Sequence, residues 1–187
     1  MICQLPAGLI DGNIEFFNDP ANLEVCYCLT NGRVTRVNDA PAEVIATVLF
    51  DMQKNPIKVQ ALVSMGYLSI EQQLEKYCSC CFGAFDGEAD AIDGVLSHSE
   101  YWPCPKRLHC DAAGILCSPL TLPNGTLSPR ETAVFTLIAQ CKLDKEIAAD
   151  LNISVETVKI HQRGIRRKSG LDNKKELIKL AFQKKLI

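Results

Sequence analysis

The feature that most constrains the fold is a stretch near the end of the chain, residues 145–170, with the sequence KEIAADLNISVETVKIHQRGIRRKSG. It contains two amphipathic runs with helical spacing of apolar residues, separated by the three-residue break Asn152-Ile153-Ser154. Asparagine tolerates the left-handed conformation of a tight turn, and serine is a preferred helix N-cap. The pattern therefore predicts a helix, a tight turn and a second helix over residues 155–168.

The helices on either side of this stretch carry their own start signals. Ser128 and Glu131 have the spacing of a capping box, in which each side chain binds a backbone N–H group of the first turn. Asn173 with Glu176 has the same spacing before a final amphipathic run. The sequence thus predicts a four-helix domain over residues 128–187.

Charge is divided unequally along the chain. Residues 1–127 hold 7 Lys and Arg against 15 Asp and Glu, whereas residues 128–187 hold 13 against 7. A basic segment on an acidic chain indicates that this segment alone meets a polyanion. An ordinary four-helix bundle with a basic surface is the alternative. The order of caps, turn and basic helix favours a helix-turn-helix whose second helix enters the major groove of DNA.

The segment 127–181 resembles the LuxR/FixJ-type helix-turn-helix domain of bacterial transcription regulators. The matching elements are Leu127-Ser-Pro-Arg-Glu131, Lys145-Glu-Ile-Ala148, Ile153-Ser154, Thr157-Val-Lys159, His161, Lys168 and Asn173 to Leu177. The rest of the chain, with its many cysteines, is similar only in general character to small regulators of the Bacteroidota. The family resemblance therefore covers about a third of the sequence.

The resemblance implies roles for individual residues of helix 155–168. Lys159, Ile160 and Arg163 occupy the positions that reach base edges. The positions that contact phosphates are Thr157, His161, Arg166, Arg167 and Lys168. Glu131 is implied to be structural. The implied partners are double-stranded DNA, a second copy of the chain bound through the last helix, and RNA polymerase.

Three positions depart from the family pattern, one of them Ser169, which replaces the leucine of the lysine-leucine pair usual near the end of the second helix. Cys141 replaces a glycine after the first helix, which predicts strain in that turn. Gly164 lies in the interior of the second helix, where glycine costs roughly 1 kcal/mol relative to alanine. Our interpretation of Gly164 at this point is a close approach of the backbone to DNA.

The front of the chain predicts a small mixed domain. Residues 23–37 alternate apolar and polar positions around Asn31-Gly32, a dipeptide that favours a hairpin turn. Three short helical runs follow, ending near Asn55, Gly66 and Tyr77. The predicted fold is mainly α with a small β-hairpin.

The predicted domain organisation has three parts. An N-terminal α+β cysteine-rich domain covers residues 1–119, and a turn-rich linker covers residues 120–127. The helix-turn-helix domain covers residues 128–187. A phosphoreceiver is rejected for the front, because the paired acids that hold magnesium in such domains are missing; Asp51 is predicted to be a surface residue on a helix.

Ten cysteines raise a second question, because several cluster in the weakly periodic segment 78–117. Thiolates bind zinc or an iron–sulfur cluster, and such a metal could hold together a segment with little core. The candidate ligands are Cys78, Cys80, Cys104, Cys110 and Cys117. The alternative is a set of small buried apolar thiols. Cys26 and Cys28 share one strand face and are interpreted as hairpin packing.

The location and function follow from these features. No apolar run reaches the roughly 18 residues of a membrane helix, and the start lacks the pattern of a signal peptide, so we expect a cytoplasmic protein without membrane contact. The predicted function is sequence-specific DNA binding in transcription regulation, without enzymatic activity. A response to metal or redox state through the N-terminal cysteines is a further hypothesis. The alternative is a thiol redox or metal-dependent enzyme with a DNA-tethering tail.

Overall fold

The computed structural model describes residues 5–184 and residue 186. The chain forms two compact units: one holds the residues up to Glu100 with Ile115–Ser118, the other holds Tyr101–Gly114 with the residues from Pro119 onward. Residues 101–114 thus fold with the second unit, although the sequence groups them with the N-terminal domain. The linker position at residues 120–127 stays a prediction.

The first unit begins with an antiparallel sheet in the order β1-β2-β3. Its strands are β1 (Glu15–Asn18), β2 (Cys26–Thr30) and β3 (Arg33–Arg36). Asn31 and Gly32 join β2 to β3 with φ angles of 49° and 71°, the positive values that a type I′ turn requires. The predicted hairpin is therefore present, and β1 extends it to three strands.

Three helices follow the sheet: α1 (Ala42–Lys54), α2 (Pro56–Ser64) and α3 (Ile70–Cys81). The start of α3 has the predicted capping box, since the Ser69 side chain accepts the Gln72 N–H and the Gln72 side chain binds back to Ser69. All three helices begin close to where the sequence predicts them.

Helix α3 continues past its predicted end at Tyr77. Cys78 and Cys81 are both fully buried and lie on the same helix face as Leu74 and Tyr77. The C-x-C-C run is therefore the last turn of a helix, because a thiol is apolar enough to extend the buried stripe.

A two-stranded hairpin, β4 (Ala91–Ile92) with β5 (Val95–Leu96), follows α3 in the first unit. The core of this unit joins the inner faces of the three-stranded sheet and of α1 to α3. Its most buried side chains include Phe16, Cys26, Cys28, Val48, Leu62, Tyr77, Cys78 and Phe82.

In its described residues, the second unit contains the short 3-10 helix Arg107–His109, one more hairpin and four α-helices. The hairpin consists of β6 (Thr121–Leu122) and β7 (Gly125–Thr126), within the segment predicted as a linker. The helices are α4 (Pro129–Ala139), α5 (Asp144–Asp150), α6 (Val155–Ser169) and α7 (Lys174–Gln183). Their common core includes Val134, Phe135, Ile138, Ile147, Val158, Ile165, Leu177 and Ala181. Within the described residues, the helices are too short or too polar to cross a membrane.

Candidate nucleic-acid interface

The corner between α5 and α6 sets the direction of the second helix. Asn152 has a φ angle of 50°, the left-handed conformation predicted for this position. The Ile153 N–H donates to the Ala148 carbonyl at 3.0 Å, and the Ile153 side chain packs against the core. The Ser154 hydroxyl then accepts the Thr157 N–H at 3.0 Å and caps α6. The predicted helix, tight turn and helix are therefore present.

Helix α6 is held along one side by the rest of the unit. Val158 and Ile165 are fully buried in the core. The Gln162 amide donates to the Asp144 carboxylate at 2.7 Å, which ties α6 to the start of α5. Because these contacts occupy one side of α6, the opposite side is open to solvent.

The open side carries an exposed stripe that we name the reading face. It consists of Glu156, Lys159, Ile160, Arg163 and Arg167. These residues recur at spacings of three or four, so they lie along one side of the helix. The exposed fraction is 49% for the Lys159 side chain and 58% for Ile160. A mainly cationic stripe with an accessible apolar residue suits base edges flanked by phosphates.

The first turn of the reading face contains an ion pair. Lys159 Nζ lies 2.8 Å from Glu156 Oε1. Each charge favours the ionised form of the other, so the hydrogen bond from Lys159 lowers the pKa of Glu156, and the bond to Glu156 raises the pKa of Lys159. Both side chains are solvent-exposed, and such pairs contribute little to stability.

The other predicted contact residues are less exposed than the reading face. The Thr157 hydroxyl lies 2.8 Å from the Ser154 hydroxyl, beside the helix cap. His161 and Arg166 are half-buried on the flanks of α6. The Nε of Arg166 is buried, with no hydrogen-bond partner among the described residues. These side chains border the reading face.

Lys168 has a structural partner. Its Nζ lies 2.6 Å from Oε2 of Glu131, and only 21% of its side chain is exposed. The same Glu131 oxygen accepts the Ser128 N–H at 2.8 Å. Burial raises the pKa of Glu131, but the bonds from Lys168 and Ser128 outweigh it, and the pKa falls below its ordinary value. Lys168 therefore ties the end of α6 to the start of α4, and this accounts for the structural role implied for Glu131.

The carboxylate of Glu131 also explains why a glycine occupies position 164. A Cβ atom built at Gly164 would lie 2.3 Å from Glu131 Oε1, far inside contact distance. The interpretation of Gly164 as a point of close approach to DNA is therefore wrong, because its open side is occupied by Glu131. Cys141, by contrast, has a φ angle of 62°, in line with the predicted strain at this turn.

A contact that sequence reasoning missed involves the β6–β7 hairpin. The Asn124 N–H at its tip donates to the Lys168 carbonyl at 2.8 Å. A Cβ atom at Gly125 would lie 3.5 Å from Lys168 Cγ, so the hairpin also packs on the side chain. Pro123-Asn124-Gly125 was the available turn signal. The hairpin satisfies one carbonyl at the end of α6 that no helical N–H can reach.

The candidate metal ligands are distributed over both units. Cys78, Cys80 and Cys117 belong to the first unit, and Cys104 and Cys110 belong to the second. In the part of the chain that the structure describes, no group of three or more His, Cys, Asp or Glu residues is placed to hold a metal ion. The metal site, with zinc or an iron–sulfur cluster, gains no support and stays a prediction.

Several cysteines instead belong to the core of the first unit. Burial raises the pKa of the Cys28 and Cys81 thiols to about 12, so these thiols stay protonated at neutral pH. Cys26 and Cys28 lie on β2 and are fully buried, in line with the interpretation of hairpin packing. The alternative of small buried apolar thiols therefore describes these side chains well.

Helices α5 and α6, with the turn between them, form a helix-turn-helix module. Asn152 forms the corner, α6 packs on the core, and its opposite side carries the exposed cationic stripe. Modules of this class place their second helix in the major groove. Residues 125–181 match the family described as "Bacterial regulatory proteins, luxR family". These residues therefore form a luxR-family domain, which confirms the resemblance seen in the sequence.

Two similar proteins are the oxygen regulatory protein NreC of Staphylococcus aureus strain JH9 and that of strain USA300. Each is 45% identical over 67 residues, which cover 36% of this chain and 31% of the relative. The chain thus spans about a third of the length of the curated relatives it matches. No solved structure matches the chain.

Proposed function

We propose that this protein is a sequence-specific DNA-binding transcription regulator in which α6 enters the major groove. The observation that carries the proposal is the reading face, a cationic stripe exposed on a helix whose start and end are both tied to the fold. Ser154 caps its first turn, and Asn124 binds the Lys168 carbonyl near its last. The similarity to two oxygen regulatory proteins and the luxR-family domain supports the same class of function.

The contacts divide into two groups in this proposal. Lys159, Ile160 and Arg163 reach base edges, because they lie on the exposed stripe in the N-terminal and middle parts of α6. Recognition helices of this class place their N-terminal residues there. Phosphate contacts come from residues along the borders and the far end: Thr157, His161, Arg166 and Arg167. Lys168 acts indirectly, since its ammonium is bound to Glu131.

We also propose that the protein binds DNA as a homodimer through α7 and contacts RNA polymerase. A two-fold dimer binds two half-sites related by inverted symmetry, so the DNA sequences it selects are expected to be inverted repeats. Nothing observed in the described part of the chain favours an enzyme or a metal-responsive step, and the proposal includes neither.

The test is selection of binding sites from a random DNA library by the full chain, followed by affinity measurements at fixed salt. The wild-type protein is expected to select a defined site. Lys159→Ala is expected to reduce discrimination at one base pair by about tenfold, since a good bidentate base contact is worth roughly 1–3 kcal/mol. Lys54→Ala, which removes an equally positive exposed side chain from α1, serves as the control. Recovery of no preferred site would refute the proposed function.

A further inference from the structure

The reading face contains one carboxylate, that of Glu156, beside its cations. Glu156 lies one helical turn from Ile160, and 73% of its side chain is exposed. DNA phosphates repel a carboxylate, so an acid on a surface that meets DNA weakens binding unless it finds a hydrogen-bond donor. The position of Glu156 therefore calls for a specific partner on the DNA.

The fold itself makes little use of Glu156. Ser154 supplies the side-chain cap of α6, by accepting the Thr157 N–H. Among the described residues, Glu156 accepts a hydrogen bond from Lys159 through Oε1, in an exposed pair, and its charge is also attracted by that of Arg163. An acid in the first turn also favours the positive end of the helix dipole, but this effect is small at an exposed site. The exposed pair contributes little to stability, so the fold alone does not account for an acid on the reading face.

The major groove offers few donors to a carboxylate. Cytosine presents the N4 amino group, and glutamate accepts from it, whereas lysine donates to the O6 and N7 atoms of guanine. Because Glu156 lies in the first turn of α6, it is at the end of the helix that contacts base edges in this class. The ion pair keeps Lys159 beside Glu156, so a donor and an acceptor lie next to each other on the reading face.

We propose that Glu156 is a specificity-determining residue that accepts a hydrogen bond from cytosine N4, next to the base pair contacted by Lys159. This inference rests on the proposed function and deepens it by assigning a base to one position. It distinguishes Glu156 from the cations of the reading face, which supply affinity as well as recognition. Loss of the carboxylate removes recognition at one base pair while relieving repulsion from phosphates.

The experiment measures affinities of the full chain for its selected site and for the single-base variants of that site. Wild type is expected to prefer cytosine at one position by about tenfold, and Glu156→Ala to reduce this preference to about twofold or less. Glu156→Gln is expected to move the preference at that position to adenine, because glutamine binds adenine N6 and N7. Both variants are expected to bind unrelated DNA more tightly than wild type, since a negative charge is lost.

The matched control is Glu43→Gln, which removes the same charge from the exposed first turn of α1. It tests for a pure charge effect and is expected to leave every base preference unchanged. The inference is overturned if Glu156→Ala keeps all base preferences, or if the lost preference is for a base other than cytosine. Failure of wild type to select any site would instead remove the proposed function, so the two failures are distinguishable.

Discussion

Gly164 shows how one residue links two helices. A glycine inside a helix normally costs about 1 kcal/mol relative to alanine. Here the missing Cβ leaves room for Glu131, whose carboxylate binds Lys168 and the N-terminal turn of α4. The propensity cost is offset by an ion pair that is mostly shielded from water.

Helix propensity alone suggests that alanine at position 164 would stabilise the fold, but the contact with Glu131 predicts that it destabilises the fold. Gly164→Ala is expected to destabilise the second unit by about 1–3 kcal/mol, because the new Cβ displaces Glu131. Urea unfolding followed by the fluorescence of Trp102 measures the effect, since this buried tryptophan lies in the second unit. In a double-mutant cycle with Glu131→Ala the cost is expected to shrink or reverse. An equal cost in both backgrounds would exclude the clash as its cause.

Asp90 is a second residue whose environment decides its chemistry. It is 5% exposed, and its Oδ2 accepts the Phe16 N–H at 2.7 Å. Burial raises the pKa of Asp90 to about 9, although the Phe16 bond acts in the opposite direction. The folded state therefore holds a proton that the unfolded chain releases at a much lower pH.

The sign of the pH dependence follows from this difference. Because the folded state binds the proton more tightly, the free energy of unfolding falls as the pH rises from about 4 to about 9. Asp90→Asn keeps an oxygen for Phe16 but cannot ionise. The variant is expected to lose less stability than wild type between about pH 5 and about pH 8, by on the order of 4 kcal/mol. Urea unfolding followed by circular dichroism at each pH tests this; parallel curves would contradict it.

At the scale of elements, the hairpin β6–β7 supports the end of α6. The Asn124 N–H donates to the Lys168 carbonyl, and Leu122 is buried in the core. Helix ends leave carbonyls without helical partners, so a donor at this place stabilises the last turn of the helix that carries the reading face.

The hairpin contact can be tested at its backbone. Asn124→Pro removes the N–H group and is expected to destabilise the second unit by about 1–2 kcal/mol. Asn124→Ala keeps the N–H group and is expected to have less than half this effect, which makes it the matched control. Thermal unfolding monitored through Trp102 distinguishes them. Equal losses in the two variants would assign the effect to the side chain.

The elements differ in how well the sequence predicts them. The capping boxes at Ser69 and Ser128 and the corner at Asn152 are local patterns, and the structure has them where expected. Strand β1 was missed because its pairing partner β2 is distant in sequence, with Glu15 opposite Leu29. The two-residue strands of β6–β7 are too short for an alternating pattern.

The candidate site shows the same limit. The exposed stripe of α6 follows from helical periodicity, so its members could be predicted from the sequence. The binding of Lys168 to Glu131 could not, because it joins residues 37 positions apart. A pattern read along one helix contains no information about which cation the neighbouring helix neutralises.

At the scale of the whole molecule, charge is the property most relevant to DNA. Residues 1–127 carry an excess of acids, and residues 128–187 carry an excess of bases. The excess acids of residues 1–127 repel phosphates over a Debye length, which is about 8 Å at physiological salt. Binding is therefore expected to depend on a small number of cations on and beside the reading face, and to weaken steeply as salt rises.

Arg167 tests this dependence on a single charge. It lies exposed near the last turn of α6, far along the helix from Lys159. Arg167→Ala is expected to weaken binding to the selected site and to unrelated DNA by similar factors. It is also expected to reduce the slope of log affinity against log salt by about 1, because one phosphate contact is lost. Arg33→Ala removes the same charge from an exposed strand of the first unit and is expected to leave the slope unchanged. If Arg167→Ala instead alters the preference for one base pair and leaves the slope intact, Arg167 reads a base edge, and its assignment as a phosphate contact is wrong.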